Sequence, residues 1–229
     1  LAKPYFREYT YACASSLDSH KALFGYSLLA SWSYSMEDST PLRSNLNLNV
    51  ISYQLKSMPN DVIRAILLLL TNLLIEDESQ DNEPRGSLAE RIFSHQTFLS
   101  SFFSGQMPAL SSGKVYSFQF MEALIYTLDE TRLKNLLFDQ DILQFILFAL
   151  RQSNRLNTME YGVRILRELC RVGEEIFRPR RGDVSPVVAK ILGCTDLVDI
   201  LDSLQYTDHP QFLDEVNAFV LEYMPLENN

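Results

Sequence analysis

The stretch from Thr131 to Cys170 leaves the chain little freedom of architecture. Leu143, Phe145, Ile146, Leu147 and Leu150 lead into a polar break, Arg151 to Thr158, and Met159, Val163, Leu166 and Leu169 follow it. On both sides the apolar positions recur at helical spacing, so the segment predicts a helix pair sharing one core. With the shorter apolar stretch that begins at Thr131, this makes a short, a medium and a longer helix in about 40 residues, the size of a helical-repeat unit. One such unit has too little apolar surface to stand alone, so the rest of the chain must supply neighbours that pack on it.

The remaining sequence is consistent with that demand. Pro4 to Leu17 places Pro4 at a first helical position and Phe6, Tyr9, Cys13 and Leu17 on one stripe. Ser19 to Met36 has a helical pattern, with Ser19 as cap and Gly25 as an internal break, and its lone Trp32 is assigned to packing. Glu37 to Asn45, with Pro41, reads as a loop. Leu46 to Lys56 alternates at first like a strand, but Ile51 and Leu55 restore helical spacing and it is assigned as helix. Pro59-Asn60-Asp61 breaks the chain and caps Val62 to Ile75. Leu88 to Phe103, a connector from Gly105 to Gly113, and Val115 to Glu130 form a further unit; Val187 to Leu204 and Phe212 to Met224, parted by Gln205 to Pro210, form the last. The middle-helix ends Leu55, Phe103, Leu150 and Leu204 lie 48, 47 and 54 residues apart.

Composition narrows the function. A net charge of −9 and a pI near 4.9 argue against direct binding to nucleic acid or an anionic membrane, which clustered Lys and Arg would have to carry, and make a basic protein or peptide the natural partner. Cys13, Cys170 and Cys194 form no CxxC pair, the usage of a reducing compartment, cytosol or nucleus. The longest apolar run, within Ala65 to Ile75, is about 11 residues and falls short of the roughly 20 that a bilayer requires. No signal peptide is recognisable, and a start at Leu1 in a sequence already helical in pattern suggests a piece of a longer protein.

In the order of its helices, Thr131 to Cys170 resembles an armadillo repeat, with Asp139-Gln140-Asp141 where that family usually places Gly. The resemblance covers residues 42 to 224 and implies an all-α, armadillo/HEAT-like right-handed α-solenoid of about four to five repeats, with approximate units 4–41, 42–76, 88–130, 131–171 and 187–224 in a single domain. Arg7-Glu8-Tyr9-Thr10, Glu160 to Cys170 and His209-Pro210 are similar to the armadillo part of the LisH-and-armadillo proteins of the ciliary base. Those are scaffolds without known catalysis, so that likeness implies protein binding at a centrosome or basal body.

In such a stack the longest helix of each unit lines a concave face, and the rung positions counted back from the helix ends are Asn72, Thr127, Glu168 and Glu222. In the importin-α branch these rungs carry Asn, with Trp four residues earlier, to clamp an extended peptide. Here the earlier positions are Leu68, Ala123, Arg164 and Ala218, so only Asn72 keeps the pattern. What remains is a mixed groove, with Arg64, Arg164, Arg167 and Arg171 beside Glu76, Glu168, Asp214, Glu215 and Glu222. These charges could receive a basic helix or loop, or they could be i, i+3 and i, i+4 pairs such as Arg164 with Glu168 and Glu168 with Arg171 on a solvated face.

Arg178, Arg180 and Arg181 form the one basic cluster, in an insertion from Glu174 to Ser185, and could contact a phosphate or phosphopeptide. Arg181-Gly182-Asp183 is not read as an integrin motif, since the cysteine usage speaks against an extracellular setting. The acidic run Glu76 to Glu83 lacks the ligand spacing of a calcium loop. His20, His95 and His209 fall in different units, His95 at a turn, and no nucleotide-binding, zinc-protease or nucleophile-elbow motif is present. The expectation is a non-catalytic, cofactor-free scaffold or adaptor that binds a protein or peptide. The alternative is a divergent nuclear transport adaptor for basic peptides.

Overall fold

The computed structural model describes residues 4–35, 40–78, 87–95, 97–110, 116–140, 142–151, 156–180, 183–206 and 208–224. Among these residues there are fourteen α-helices and no strand. The helices α1 (Pro4–Ala14) and α2 (Ser19–Ser35) come first, followed by α3 (Thr40–Asn45), α4 (Leu48–Ser57) and α5 (Asn60–Glu78). Then come α6 (Leu88–Ser94), α7 (Phe98–Leu110) and α8 (Tyr116–Tyr126). Next are α9 (Glu130–Lys134), which runs on into a π-helical turn Asn135–Asp139, α10 (Ile142–Leu150) and α11 (Leu156–Phe177). The series closes with α12 (Pro186–Leu192), α13 (Thr195–Leu204) and α14 (Pro210–Tyr223). After α2 the order is therefore a short helix followed by two longer ones, four times over.

The chain divides into two compact units, residues 1–109 with 119–127, and residues 110–118 with 128–229. In the first, α2 packs on α1 at one side and α5 at the other, and α5 also meets α4 and α6. Gly25 sets the α1–α2 approach: a Cβ there would stand 2.7 Å from Ala14 Cα and 2.9 Å from the Cys13 carbonyl carbon. The residue therefore permits a close crossing inside an unbroken helix, in place of the break expected from its sequence. Gln54 of α4 ties the same region together. Its amide donates to the carbonyls of Ala14 and Ser16 at 3.0 and 2.9 Å, and its Oε1 accepts from the Tyr26 hydroxyl at 2.7 Å. Phe98 and Phe102 of α7 close on Phe120 at 6.2 and 5.0 Å between ring centroids, and all three rings are fully buried.

In the second unit α11 is the hub, packed by α9, α10, α12 and α14, while α10 also meets α13. Phe118 stacks on Tyr161 of α11 at 5.4 Å and tilts against Phe145 of α10 at 5.3 Å. Gly173 lets Val187 of α12 press onto α11; a Cβ at Gly173 would lie 2.9 Å from the Val187 Cβ.

Local chemistry corrects several sequence expectations. The α2 cap is Asp18, whose Oδ1 accepts the N–H groups of His20 and Lys21 at 3.0 Å each, and Ser19 is the first helical residue. Part of the expected loop from Glu37 to Asn45 is α3, because Pro41 falls in a first turn, where its missing N–H costs nothing. The expected connector from Gly105 begins inside α7, which continues to Leu110, and the expected insertion from Glu174 begins inside α11, which continues to Phe177. Leu88 to Phe103 is two helices, divided at His95, which lies at a turn as expected, and Val187 to Leu204 is two, divided at Gly193-Cys194. The acidic stretch from Glu76 is helical as far as Glu78, and residues 79–86 lie outside the described residues.

Candidate binding grooves

Side-chain contacts fix the relative direction of α2 and α5. Asn72 Nδ2 reaches the Ala30 carbonyl at 3.4 Å and Ser33 Oγ at 3.2 Å, while Asp61, three turns earlier on α5, shares a hollow with Leu23 and Ser27. Were the helices antiparallel, Asp61 would face beyond the end of α2, so the two run side by side in one direction. Between them is an open groove of about 720 Å³. Its floor is cut low by small residues, Ser27, Ala30, Ser31 and Ala65. Its walls are Leu23, Tyr34 and Leu68, with Asp61 and Arg64 at one end and Asn72 toward the other. Tyr34 is 87% exposed, Leu68 46%, and Ile75, seven residues beyond Leu68 on the same helix face, 56%. Tyr34 and Leu68 thus present apolar surface to water in the groove walls.

Of the sequence-derived groove residues, Arg64 and Asn72 are thus brought together here. The Asn72 amide is engaged by α2, which places it as a tie between neighbouring helices. Thr127 is elsewhere in this unit, ending α8 with its Oγ1 donating to the Leu124 carbonyl at 2.7 Å.

In the second unit α11 and α14 also run side by side in one direction: Arg167 bonds Glu222 at 3.1 Å, while Glu215 shares a smaller hollow with Asn157, Glu160, Tyr161 and Arg164. The Arg164 guanidinium lies 4.5 Å from the Tyr161 ring centroid, over the ring whose stacking partner is Phe118. Arg171 bonds Glu168 at 2.9 Å and Glu175 at 2.6 Å. The solvated-pair reading therefore holds for Glu168 with Arg171, and Arg167 adds a bridge from one helix to the next. Carboxylates outnumber guanidiniums seven to three along α11 and α14. Burial first, and then Glu174 and Glu222 nearby, push the Cys170 thiol well above its ordinary range.

The basic cluster is partly accounted for by backbone. Arg178 follows α11 with φ of 44°, and its N–H donates to the Glu174 carbonyl at 2.8 Å, a left-handed helix-ending position. Arg180 is exposed, with its carbonyl accepting from Asp183 N–H at 2.8 Å; Arg181 lies outside the described residues. Among the described residues, no three His, Cys, Asp or Glu side chains are grouped to hold a metal ion, and no helix is long and apolar enough to cross a membrane.

No protein family, curated protein or solved structure matches the chain. Two features of these grooves escaped the sequence reading. The α2 wall was missed because a Ser/Ala-rich helix face carries no charge or motif to single it out. Leu68 is the position four residues before the Asn72 rung, but the exposure of Ile75 is hidden in sequence because α5 is apolar around most of its circumference.

Proposed function

We propose that the chain is a non-catalytic protein-interaction module, a scaffold or adaptor of armadillo- or HEAT-like build, and that it holds a segment of a partner protein between neighbouring last helices. The observation that carries this reading is the α2–α5 groove, where Tyr34 and Leu68 stand exposed above a small-residue floor. The repeat reading is supported by the recurring short-then-two-longer helix order and by the parallel pairs α2–α5 and α11–α14. Successive repeats pack equivalent helices against each other in this way. Likeness to the LisH-and-armadillo scaffolds directs the search for a partner to the centrosome and ciliary base.

A second reading, a divergent nuclear transport adaptor, is favoured by the excess of carboxylates on α11 and α14, which suits a basic peptide. Replacing Glu215 and Glu222 by Lys separates the two, since that reading requires salt-sensitive binding of Lys/Arg-rich peptides to be lost. The main reading is tested by Leu68→Asp combined with Tyr34→Ser in the full chain. Both side chains are exposed, so the far-ultraviolet circular dichroism stays helical while a partner co-purifying with the unmodified chain is lost. Retention of every partner by the folded variant refutes it.

A further inference from the structure

Thr40 opens α3 and is followed by Pro41, Leu42 and Arg43. A hydroxyl residue directly before proline, with a cation three residues on, is the acceptor pattern of proline-directed protein kinases. Proline suits such a kinase because it carries no N–H, so enclosing it in a peptide groove leaves no backbone donor unpaired. The chain holds two hydroxyl residues before proline, Thr40 and Ser185. The fold treats them in opposite ways. Ser185 is buried and its Oγ caps α12, accepting the Val188 N–H at 3.2 Å. Thr40 and Pro41 are both exposed.

The start of α3 also opens readily. Six residues are too few for a helix to persist unaided. Its firmer ties lie in the second half: Leu42 is buried, and Arg91 donates to the carbonyls of Arg43 and Leu46, the second at 2.6 Å. The Pro41 carbonyl, by contrast, takes solvent-exposed bonds from the Tyr11 hydroxyl at 3.4 Å and the Asn45 amide at 2.7 Å, for which water substitutes with little loss. Local opening of the first turn presents Thr40 and Pro41 while the Arg91 bonds stay in place.

Arg43 supplies the means to hold a phosphate once it is attached. The residue is buried, and its Nη2 donates to Thr40 Oγ1 at 3.0 Å. A phosphate on that oxygen sets three strong acceptors within reach of a guanidinium already fixed in position, so little side-chain freedom remains to be lost. We propose that Thr40 is a phosphorylation site for a proline-directed Ser/Thr kinase and that Arg43 clasps the phosphate. In the transfer, the γ-phosphorus of ATP bonds to Thr40 Oγ1 as its bond to the β,γ-bridging oxygen breaks; ADP leaves with that electron pair, and the hydroxyl proton passes to the kinase's catalytic carboxylate. The site is separate from the α2–α5 groove and does not depend on how that groove is used.

The test is incubation of the full chain with ATP and a cyclin-dependent kinase, with the modified positions mapped by mass spectrometry and the product titrated by phosphorus NMR. Thr40 should be modified at least about tenfold faster than the buried cap Ser185, and Pro41→Ala should remove most of that rate. The second ionisation of phosphothreonine lies at about pH 6 in an unrestrained chain. In the folded product it should lie about 0.5–1 pH unit lower, because an adjacent cation favours the dianion, and Arg43→Gln should return it to the unrestrained value. The same phosphoprotein unfolded in urea gives that reference even if the Arg43→Gln chain does not fold. Absence of phosphate from Thr40, or modification of Ser185 at an equal rate, overturns the proposal. A phosphothreonine that titrates in the folded chain as it does in urea overturns the part given to Arg43.

Discussion

Replacing Gly25 by Ala should destabilise the protein, against the expectation from helix propensity. At a mid-helix position, Gly to Ala is worth about 1 kcal/mol of stabilisation. Here the new methyl would stand 2.7 Å from Ala14 Cα, and closer still to its nitrogen. These are backbone atoms, so no side-chain rotation relieves them, and the end of α1 must move away from α2. Overpacking of this kind costs about 1–3 kcal/mol, and rigid backbone places the site at the upper end, for a net loss of about 1–2 kcal/mol. Two other glycines calibrate the reasoning. At Gly173 the obstacle is the stiff side chain of Val187, with its Cβ at 2.9 Å, so the loss should be smaller. At Gly162 it is Leu150 Cδ2 at 3.0 Å, which can rotate, and the two effects should nearly cancel. Urea titrations followed by far-ultraviolet circular dichroism measure all three. A Gly25→Ala variant as stable as the parent, or more so, refutes the close α1–α2 crossing.

Gln54→Leu should cost about 2–4 kcal/mol in the same assay, since it strands the Ala14 and Ser16 carbonyls and the Tyr26 hydroxyl, whereas Tyr26→Phe should cost only about 1 kcal/mol. With a maleimide reagent on the native protein, Cys194 should react first, because Cys13 and Cys170 are buried and the Cys170 thiol is pushed upward by burial and two carboxylates. Rapid native labelling of Cys170 would contradict its placement. The backbone N–H of Lys21, with smaller help from His20, holds the Asp18 carboxyl below its usual range. Its contribution to stability is present above the unfolded pKa and lost as pH falls through the lower folded value. An Asp18→Asn variant should therefore lose less stability on acidification than the parent, and identical acid profiles would exclude the cap.

The helical elements were largely legible because their apolar positions carry the period directly. Val62 to Leu74 and Ile142 to Leu150 could hardly be anything else, and Leu55, Phe103, Leu150 and Leu204 do fall in four successive middle helices, α4, α7, α10 and α13. Boundaries were read less well where one residue type serves two purposes. Gly25 looks like a break because sequence does not reveal what lies against a missing Cβ. Pro41 looks like loop because a proline in a first helical turn has the same appearance as one between helices. The charged groove was partly legible: the Glu168–Arg171 pair follows from spacing alone, but the Arg167–Glu222 bridge joins residues 55 apart and needed the fold. Asn72 is singled out in sequence only as an expected rung position, and its bond to α2 cannot be foreseen without knowing which helix lies beside α5.

The claim that the α2–α5 groove is where a partner lies can be tested most directly by a photo-crosslinking amino acid in place of Leu68, with the same group in place of the 82%-exposed Tyr206 as control. The groove position should give one discrete crosslinked product that Tyr34→Ser in the opposite wall abolishes, and the control should give none. Equal labelling from both positions, or labelling from Leu68 that Tyr34→Ser leaves untouched, would contradict the account.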